Sequence, residues 1–241
     1  MTPLLSIVVP SYDEAPGLGA LVDAYVAARP PDLPCELVLV DNGSRDETRA
    51  VLAALQARGE PYRAFLAPLV LADNQGYGGG IRAGLAAARG EYLAWSHADL
   101  QCEPGDVFNA FARLRTAADP RRTVVKGRRA PRPWREAATT IGMQAAARVV
   151  LGPGLTDINA QPKVFHRSLL ALVTDPPRDF SFDLYVLYRA ARAGWRIETV
   201  PVRFHRRAHG ASHWAATLAS RRRHIAATLR FMVALRLGRI R

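Results

Sequence analysis

The sequence predicts an α/β protein with a mostly parallel central sheet and helices on both faces. In the N-terminal half, short apolar runs alternate with helix-like segments: LLSIVVP, a helix over 19–29, CELVLVD and a helix after Asp46. Continuous apolar strands joined by helices are typical of parallel sheets that are buried on both faces. Polar residues follow the predicted strands in SYDE, DNGSRDE, DNQGYGGG and SHADLQ. Because ligands bind at the carboxyl ends of such strands, this repetition predicts a binding site there.

The second half of the chain continues the alternation with a long basic interruption. A strand, TVVKG, leads into the proline-rich stretch RRAPRPWRE, where proline favours an irregular loop. Around this stretch the sequence predicts helices over 106–116, 136–151, 182–193 and 221–241, a strand in PKVFHR and another in WRIETVPVRF.

Length and composition predict one domain with a basic tail, 1–212 and 213–241. The chain has 241 residues, 49% of them hydrophobic, which excludes a disordered or fibrous protein. Only two cysteines occur, Cys35 and Cys102, too few for a disulfide framework, so a reduced, cytoplasmic location is expected. No stretch reaches the roughly 18 apolar residues of a membrane span.

Positive charge is the most unusual property of the composition. The chain carries 33 basic and 21 acidic residues, a net charge of +12, and all but two of the basic residues are arginine. Two acid-free segments, 121–135 and 203–241, hold seven and ten of them. Such clustering predicts an anionic partner, with a solvated arginine-rich surface as the alternative. The helices over 136–151 and 221–241 are expected either to lie on an anionic membrane surface or to pack on the domain.

Oxygen ligands for a divalent cation are available at several strand ends. Asp13 and Glu14, Asp41, and the pair Asp99 and Gln101 follow different predicted strands. Carboxylate and amide oxygens suit the hard cations that accompany nucleotide diphosphates. Each cluster alone is equally compatible with an ordinary turn.

Five motifs in order carry a family resemblance: PSYDE, VDNGSRDET, NQGYGGGIRAG, SHADLQCEP and RAHGAS. Together they resemble the inverting family 2 glycosyltransferases with the GT-A fold, and most of all the dolichyl- or polyprenyl-phosphate sugar synthases. The resemblance extends from Ser6 to about Ser212. It implies a hexosyltransferase that uses a nucleotide sugar, either GDP-mannose or a UDP-sugar.

The resemblance assigns the donor nucleotide to residues of the first four motifs. In similar enzymes the first two motifs hold the base and ribose, and the arginine of the glycine-rich segment faces inward. The donor-binding positions that this implies are Pro10, Tyr12, Glu14, Asp41, Asn74, Gly78, Arg82, Ala98 and Asp99.

The metal motif departs from the family pattern. Relatives carry aspartate, any residue, aspartate and then a glutamine, whereas this chain reads His97-Ala98-Asp99-Leu100-Gln101. The resemblance implies a Mg²⁺ or Mn²⁺ site at Asp99 and Gln101, with Asp99 also catalytic. Because imidazole suits borderline metals, His97 as a ligand favours Mn²⁺. The alternative is that His97 only hydrogen-bonds the nucleotide.

An acceptor phosphate is expected at Arg129, Arg207 and Ser212, which match the lipid-phosphate transferases. Relatives usually carry lysine after that serine, where this chain has His213. Asp157 is a second candidate catalytic residue, as a base, as a carboxylate that orients the acceptor, or as a partner of Lys163. Gln161 occupies a position that is glycine in many polyprenyl-phosphate synthases.

The expected function is metal-dependent sugar transfer to a polyprenyl phosphate by a protein bound peripherally to the inner face of the cell membrane. A separate membrane-anchoring partner is the alternative to direct binding. A lipid phosphate is already anionic and needs no base, but arginines must hold it. A hydroxyl acceptor in cell-envelope polysaccharide or glycolipid synthesis needs a carboxylate base, which would be Asp157. Two further alternatives are a non-catalytic sensor of nucleotide sugars and a nucleic-acid-binding protein. No motif supports nucleic acid, and none is expected as a partner.

Overall fold

The computed structural model describes residues 2–129, 142, 145–152, 155–205 and 218–239. Seven strands form one sheet: β1 (Leu5–Ser11), β2 (Cys35–Asp41), β3 (Leu66–Val70), β4 (Tyr92–Trp95), β5 (Thr123–Arg129), β6 (Lys163–His166) and β7 (Arg196–Val202). The helices are α1 (Ala15–Ala28), α2 (Thr48–Ala57), α3 (Tyr62–Phe65), α4 (Gly76–Ala87), α5 (Pro104–Arg115), α6 over 145–151, α7 (Ser181–Arg192) and α8 (Leu218–Arg236). Two 3₁₀ turns cover Pro120–Arg122 and Arg167–Leu172.

The sheet has the order β3-β2-β1-β4-β6-β5-β7 and is mostly parallel. β6 runs antiparallel to both of its neighbours, β4 and β5, so those two strands point the same way. In register, Val8 of β1 pairs with Trp95 of β4, which pairs with Lys163 of β6, which pairs with Lys126 of β5. The carboxyl ends of β1, β2, β4 and β5 therefore meet at one edge of the sheet, as the sequence predicts.

Two helices begin earlier than their apolar periodicity indicates. α1 starts at Ala15 and α5 at Pro104, and each has proline in its first two positions. Proline suits a first turn, because its fixed φ is already helical and its missing N–H has no partner in the helix there. The predicted helix over 136–151 is described only at 142 and over 145–151.

The core consists of two clusters, one on each face of the sheet. One joins the sheet to α1, α2 and α5, and the other joins it to α4, α6, α7 and α8. Met232 and Leu235 of α8 are buried in the second cluster, and Phe231 packs near Tyr185 of α7. One side of the basic C-terminal helix therefore packs on the domain.

The outer side of α8 exposes apolar and basic residues together. Val233 in α8 and Leu237 just after it are about half exposed, and Arg230, Arg236 and Arg239 in the same segment are exposed as well. Within the described residues, no helix is long and apolar enough to cross a membrane.

Candidate active site

The loops after β1 and β2 hold each other through backbone amides. The N–H of Asp13 donates to Ser44 Oγ (3.1 Å), and the N–H of Arg45 donates back to Asp13 Oδ1 (2.8 Å). The N–H of Ala15 donates to Asp46 Oδ2 (3.1 Å). Asp13 has a φ of 54°, in the left-handed region that aspartate tolerates better than most residues. The predicted base-and-ribose loop and the VDNGS loop are thus one rigid unit.

Asp41 lies fully buried at the end of β2, and its two carboxylate oxygens have different surroundings. Its Oδ1 accepts a hydrogen bond from the N–H of Ser44 (2.8 Å). Its Oδ2 has no hydrogen-bond donor among the described residues, and Arg49 Nε lies 3.6 Å away. A buried carboxylate oxygen without a donor is costly, so this atom suits a ligand that supplies an N–H or O–H.

The other predicted base-and-ribose residues lie around the same strand end. Pro10 is in β1 opposite Val40. Tyr12 is partly exposed and begins the loop after β1. The N–H of Glu14 donates to Thr48 Oγ1 (3.3 Å), at the start of α2. These three residues and Asp41 are neighbours in the structure, which is compatible with a common ligand.

Asn42 is a site residue that the sequence analysis missed. Its Nδ2 donates to Gly76 O (3.0 Å), and its Oδ1 accepts from the N–H of Gln75 (3.1 Å). Asn74, a predicted donor residue, accepts from the N–H of Gly76 with its Oδ1 (2.8 Å). Asn42 therefore fixes the start of α4 against β2, although in sequence it is an ordinary turn asparagine.

The glycines of α4 allow close packing, and the contact of Gly78 with the donor stays a prediction. The N–H of Gly78 donates to Arg178 O (2.8 Å), and a Cβ there would come within 2.3 Å of Pro177 O. At Gly84 a Cβ would lie 2.3 Å from Val8 Cγ1. Arg82 is exposed and lines a cavity together with Gly78 and Arg178, and its contact with the donor likewise stays a prediction.

The metal motif is a strained turn directly after β4. Asp99 is buried, its Oδ1 accepts from the N–H of Gln101 (3.1 Å), and Leu100 has a φ of 54°. Gln101 Nε2 donates to His205 O (3.1 Å), and the N–H of His205 donates to Gln101 O (2.8 Å). The amide oxygen of Gln101 is the atom that would coordinate a metal, because hard cations take oxygen ligands. His205 is thereby bound to the metal motif two residues before Arg207.

The donor set fits a divalent cation that is shared with a diphosphate. Among the described residues, no three His, Cys, Asp or Glu side chains converge on one point, so this part of the chain supplies no complete cage. Mg²⁺ characteristically takes one or two carboxylates and draws its remaining ligands from phosphates and water. Asp99 with the amide oxygen of Gln101 matches that pattern. His97 lies beside them, its Nε2 3.2 Å from the hydroxyl of Tyr77.

Asp157 pairs with Arg129 at the end of β5, and not with Lys163. Arg129 donates from its backbone N–H to Oδ2 (2.7 Å) and from its guanidinium to Oδ1 (2.8 Å from Nε). Burial pushes the pKa of Asp157 up, but the hydrogen bonds and charge of Arg129 outweigh it and hold that pKa below its usual range. A carboxylate that is this well satisfied is a poor proton acceptor, which favours the orienting role over the base.

Both lysines of the chain are buried side by side below this ion pair. Lys126 donates to the carbonyl oxygens of Gly127 and Asp157, each at 3.0 Å, and burial together with nearby Lys163 lowers the pKa of Lys126 to about 7. Lys163 pairs instead with the carboxylate of Asp183 in α7. The sequence signal for these lysines was their position inside the apolar strands TVVKG and PKVF.

The metal motif and Arg129 lie at the same edge of the sheet. β4 and β5 are separated by β6 alone, so the two strands run roughly 10 Å apart at normal strand spacing, and β5 continues from Lys126, level with Trp95, to Arg129. The charges of Asp99, Lys163 and Arg129 all act on Cys102, the residue after Gln101. Acidic and basic groups are therefore close together at this edge. Arg207, Ser212 and His213 lie outside the described residues.

Comparisons with known proteins agree with this arrangement. Residues 6–173 match the family described as glycosyl transferase family 2. An uncharacterized glycosyltransferase of Mycobacterium tuberculosis is 30% identical over 219 residues, which cover 89% of this chain and 91% of that protein. An undecaprenyl-phosphate 4-deoxy-4-formamido-L-arabinose transferase of Pseudomonas fluorescens is 30% identical over 69% of this chain and 48% of its own length.

A solved structure shares the fold. Glucosyl-3-phosphoglycerate synthase of Mycobacterium tuberculosis, in complex with Mn²⁺, UDP and glucosyl-3-phosphoglycerate, matches with a TM-score of 0.70 at 18% identity, over 98% of this chain and 80% of that one. The fold is GT-A, and the chain belongs to glycosyl transferase family 2. It is an enzyme of the glycosyltransferase class, which confirms the family that the five motifs predict.

Proposed function

We propose that this enzyme transfers a hexosyl group, with inversion, from a nucleotide sugar to a polyprenyl phosphate at a membrane surface. The donor site is formed by the strand-end loops around Asp41 and by the turn that contains Asp99. The acceptor phosphate binds at Arg129. The same proposal assigns Arg207 and Ser212 to that phosphate, on the basis of their motif.

The donor half of the proposal is supported by Asp41 Oδ2, which accepts no hydrogen bond from the described residues, and by the cation-binding set at Asp99 and Gln101. The solved neighbour binds UDP with Mn²⁺, which agrees with this donor set. When bound, a divalent cation stabilises the negative charge that develops on the departing nucleoside diphosphate. This chain contributes the carboxylate of Asp99, held in place by the backbone N–H of Gln101.

The observation that carries the acceptor half is the ion pair between Arg129 and Asp157. Asp157 fixes the Arg129 guanidinium through Nε and one Nη, and the guanidinium also lies 5.4 Å from the ring of Phe204. An arginine held in this way is oriented to bind a phosphate oxygen without further loss of side-chain entropy. The lowered pKa of Asp157 counts against the hydroxyl-acceptor alternative, in which that residue is the base.

Attachment to an anionic membrane surface is supported by the outer face of α8. Val233 and Leu237 are exposed there beside Arg230, Arg236 and Arg239, and α8 contains no acidic residue. An apolar stripe flanked by arginines is typical of helices that lie in the headgroup region of an anionic bilayer. The undecaprenyl-phosphate transferase among the relatives agrees with a lipid acceptor.

A transfer assay tests the proposal. The purified chain is incubated with radiolabelled UDP-glucose, UDP-N-acetylglucosamine or GDP-mannose, Mg²⁺ or Mn²⁺, and a short-chain polyprenyl phosphate, and the product is extracted into organic solvent. The matching polyprenol without phosphate, and EDTA in place of metal, are the controls. We expect metal-dependent label in the organic phase with the phosphate alone. Label on a hydroxyl acceptor instead would overturn the lipid-phosphate assignment.

A further inference from the structure

Tyr77 holds His97 from the protein side. The Tyr77 ring stacks on Phe180, with centroids 4.7 Å apart and planes at 18°, and meets the edge of the His97 ring at 5.7 Å. Its hydroxyl lies 3.2 Å from His97 Nε2. One ring nitrogen of His97 is therefore tied to a tyrosine of α4, and the ring can rotate only if that bond breaks.

The hydroxyl of Tyr77 is held in turn by a fully buried glutamine. Gln161 Nε2 donates to the Tyr77 hydroxyl (2.9 Å) and to Asp183 Oδ1 (3.1 Å). Burial and the charge of Asp183 raise the pKa of Tyr77 well above its usual value, so the hydroxyl keeps its proton. Tyr77, Gln161 and Asp183 belong to different elements, and they meet behind His97.

Asp183 anchors this chain of hydrogen bonds to the sheet. Its Oδ1 also accepts from Trp95 Nε1 (3.2 Å), and its carboxylate pairs with Lys163. Trp95, the last residue of β4, pairs with Lys163 of β6 and lies two residues before His97. The anchor is thus fixed to the strand that leads into the turn of His97.

The cost of burying these groups indicates a role other than stability. Lys163 and Asp183 are almost fully buried, and Gln161 Oε1 and Asp183 Oδ2 lack hydrogen-bond partners among the described residues. Apolar side chains of similar size commonly stabilise a core as well as a buried ion pair does. A polar network of this kind is better explained by the orientation that it imposes on its last member.

We propose that Gln161, Asp183 and Lys163 act through Tyr77 to fix the orientation of His97, and that this orientation sets the affinity of the donor site for the metal–diphosphate unit. The inference rests on the proposed function, because it takes the turn after β4 as the donor's cation site. Tyr77 and Gln161 are positioning residues in this scheme. Partners that orient a group next to a metal typically change its affinity 10–100-fold when removed.

Tyr77→Phe tests the inference, because it removes the hydroxyl and keeps the ring stacked on Phe180. Mn²⁺ binding is measured by electron paramagnetic resonance in the presence of UDP or GDP, whichever the wild type binds more tightly. We expect Mn²⁺ affinity in the ternary complex to fall about tenfold. Nucleotide affinity without metal should change less than twofold.

Matched variants separate positioning from general damage. Tyr62→Phe, which removes the hydrogen bond from the Tyr62 hydroxyl to Asp23 on the surface, should leave Mn²⁺ binding unchanged. In a His97→Ala background, Tyr77→Phe should have no further effect, since its target is gone. If Tyr77→Phe unfolds at assay temperature, Gln161→Met is the second variant, with the same expected loss.

The outcomes distinguish this inference from the proposed function. Wild-type affinity in folded Tyr77→Phe, or an equal loss with and without His97, would overturn the positioning role alone. Wild-type protein that binds neither nucleoside diphosphate with Mn²⁺ would overturn the proposed donor site, and the inference with it.

Discussion

The two halves of the sheet edge hold their charged groups by different means. On the donor side, the carboxylates of Asp13, Asp41 and Asp99 are held mainly by backbone N–H groups of their own and adjoining loops. On the acceptor side, the carboxylates of Asp157 and Asp183 are held mainly by cationic side chains from other strands.

This difference has an electrostatic consequence. Backbone amides fix a carboxylate without cancelling its full charge, so the donor side stays negative and suits a cation. Across the edge, Arg129 and Lys163 face two carboxylates, and Lys126, whose pKa is about 7, adds part of a positive charge near neutral pH. A metal-bound diphosphate and a free phosphate monoester thereby find different environments at the same edge of the sheet.

The largest effect is expected from Asp99→Ala on the donor side. The loss of the carboxylate should lower kcat for transfer on the order of 10²–10³-fold, because the charge on the departing diphosphate is no longer offset. The backbone N–H of Gln101 donates to this carboxylate, and thermal unfolding measures what the loss of that bond does to stability. Asp99→Asn keeps that bond and is the control, with the same expected loss of activity. Full activity in either variant would contradict the metal assignment.

Asp157→Asn tests the ion-pair side of the comparison. We expect an acceptor KM about tenfold higher, because Arg129 is less well oriented, and a loss of about 1–3 kcal/mol in the free energy of unfolding. The acid limb of the pH–rate profile should be unchanged, whereas loss of a base would abolish it. Asp23→Asn, which weakens the exposed pair with Arg58, is the control and should cost less than about 1 kcal/mol. A kcat near zero with normal KM would point to the base role.

Lys126→Met tests the buried cations through pH. The pKa of Lys126 is about 7 in the folded state, against 10.5 for a free lysine, so the unfolded chain binds more protons between these values. The free energy of unfolding should therefore rise with pH, by about 1 kcal/mol per unit between pH 7 and 8.5. Lys126→Met should flatten this rise in urea titrations. Arg128→Met, at the exposed next-but-one position, should retain it. An unchanged slope in Lys126→Met would show that the lysine is protonated when folded.

The smallest effects are expected on the outer face of α8, where the positive charge reaches the surface. Arg230→Gln and Arg236→Gln should each weaken binding to vesicles with anionic lipid about fivefold, since one cation near such a surface contributes about 1 kcal/mol. Sedimentation at low and high salt measures this. Arg115→Gln, on the opposite face of the sheet, is the control and should bind as wild type does. Equal losses in all three variants would indicate only a general charge effect.

The fold was predictable because its signal is local and repeated. Apolar strands followed by polar turns recur from β1 to β4, and each such unit can be recognised in the sequence without the others. The donor residues follow from the same pattern, because Asp41 and Asp99 sit directly at strand ends. The close packing at Gly78 was not predictable, since a glycine that allows close packing and one that binds a ligand have the same sequence signature. The donor contacts of Gly78 and Arg82 stay predictions.

The sequence by itself determined the α/β class, the edge that holds the site and the family. Only the tertiary structure decided that Asp157 pairs with Arg129, 28 residues away, and that Gln161 reaches Tyr77, 84 residues away. The physical reason is that side-chain partners across a sheet depend on strand order and register, which are set by the packing of the whole chain. Periodicity and turn chemistry are encoded within a few residues, whereas the choice of partner for a buried charge is not.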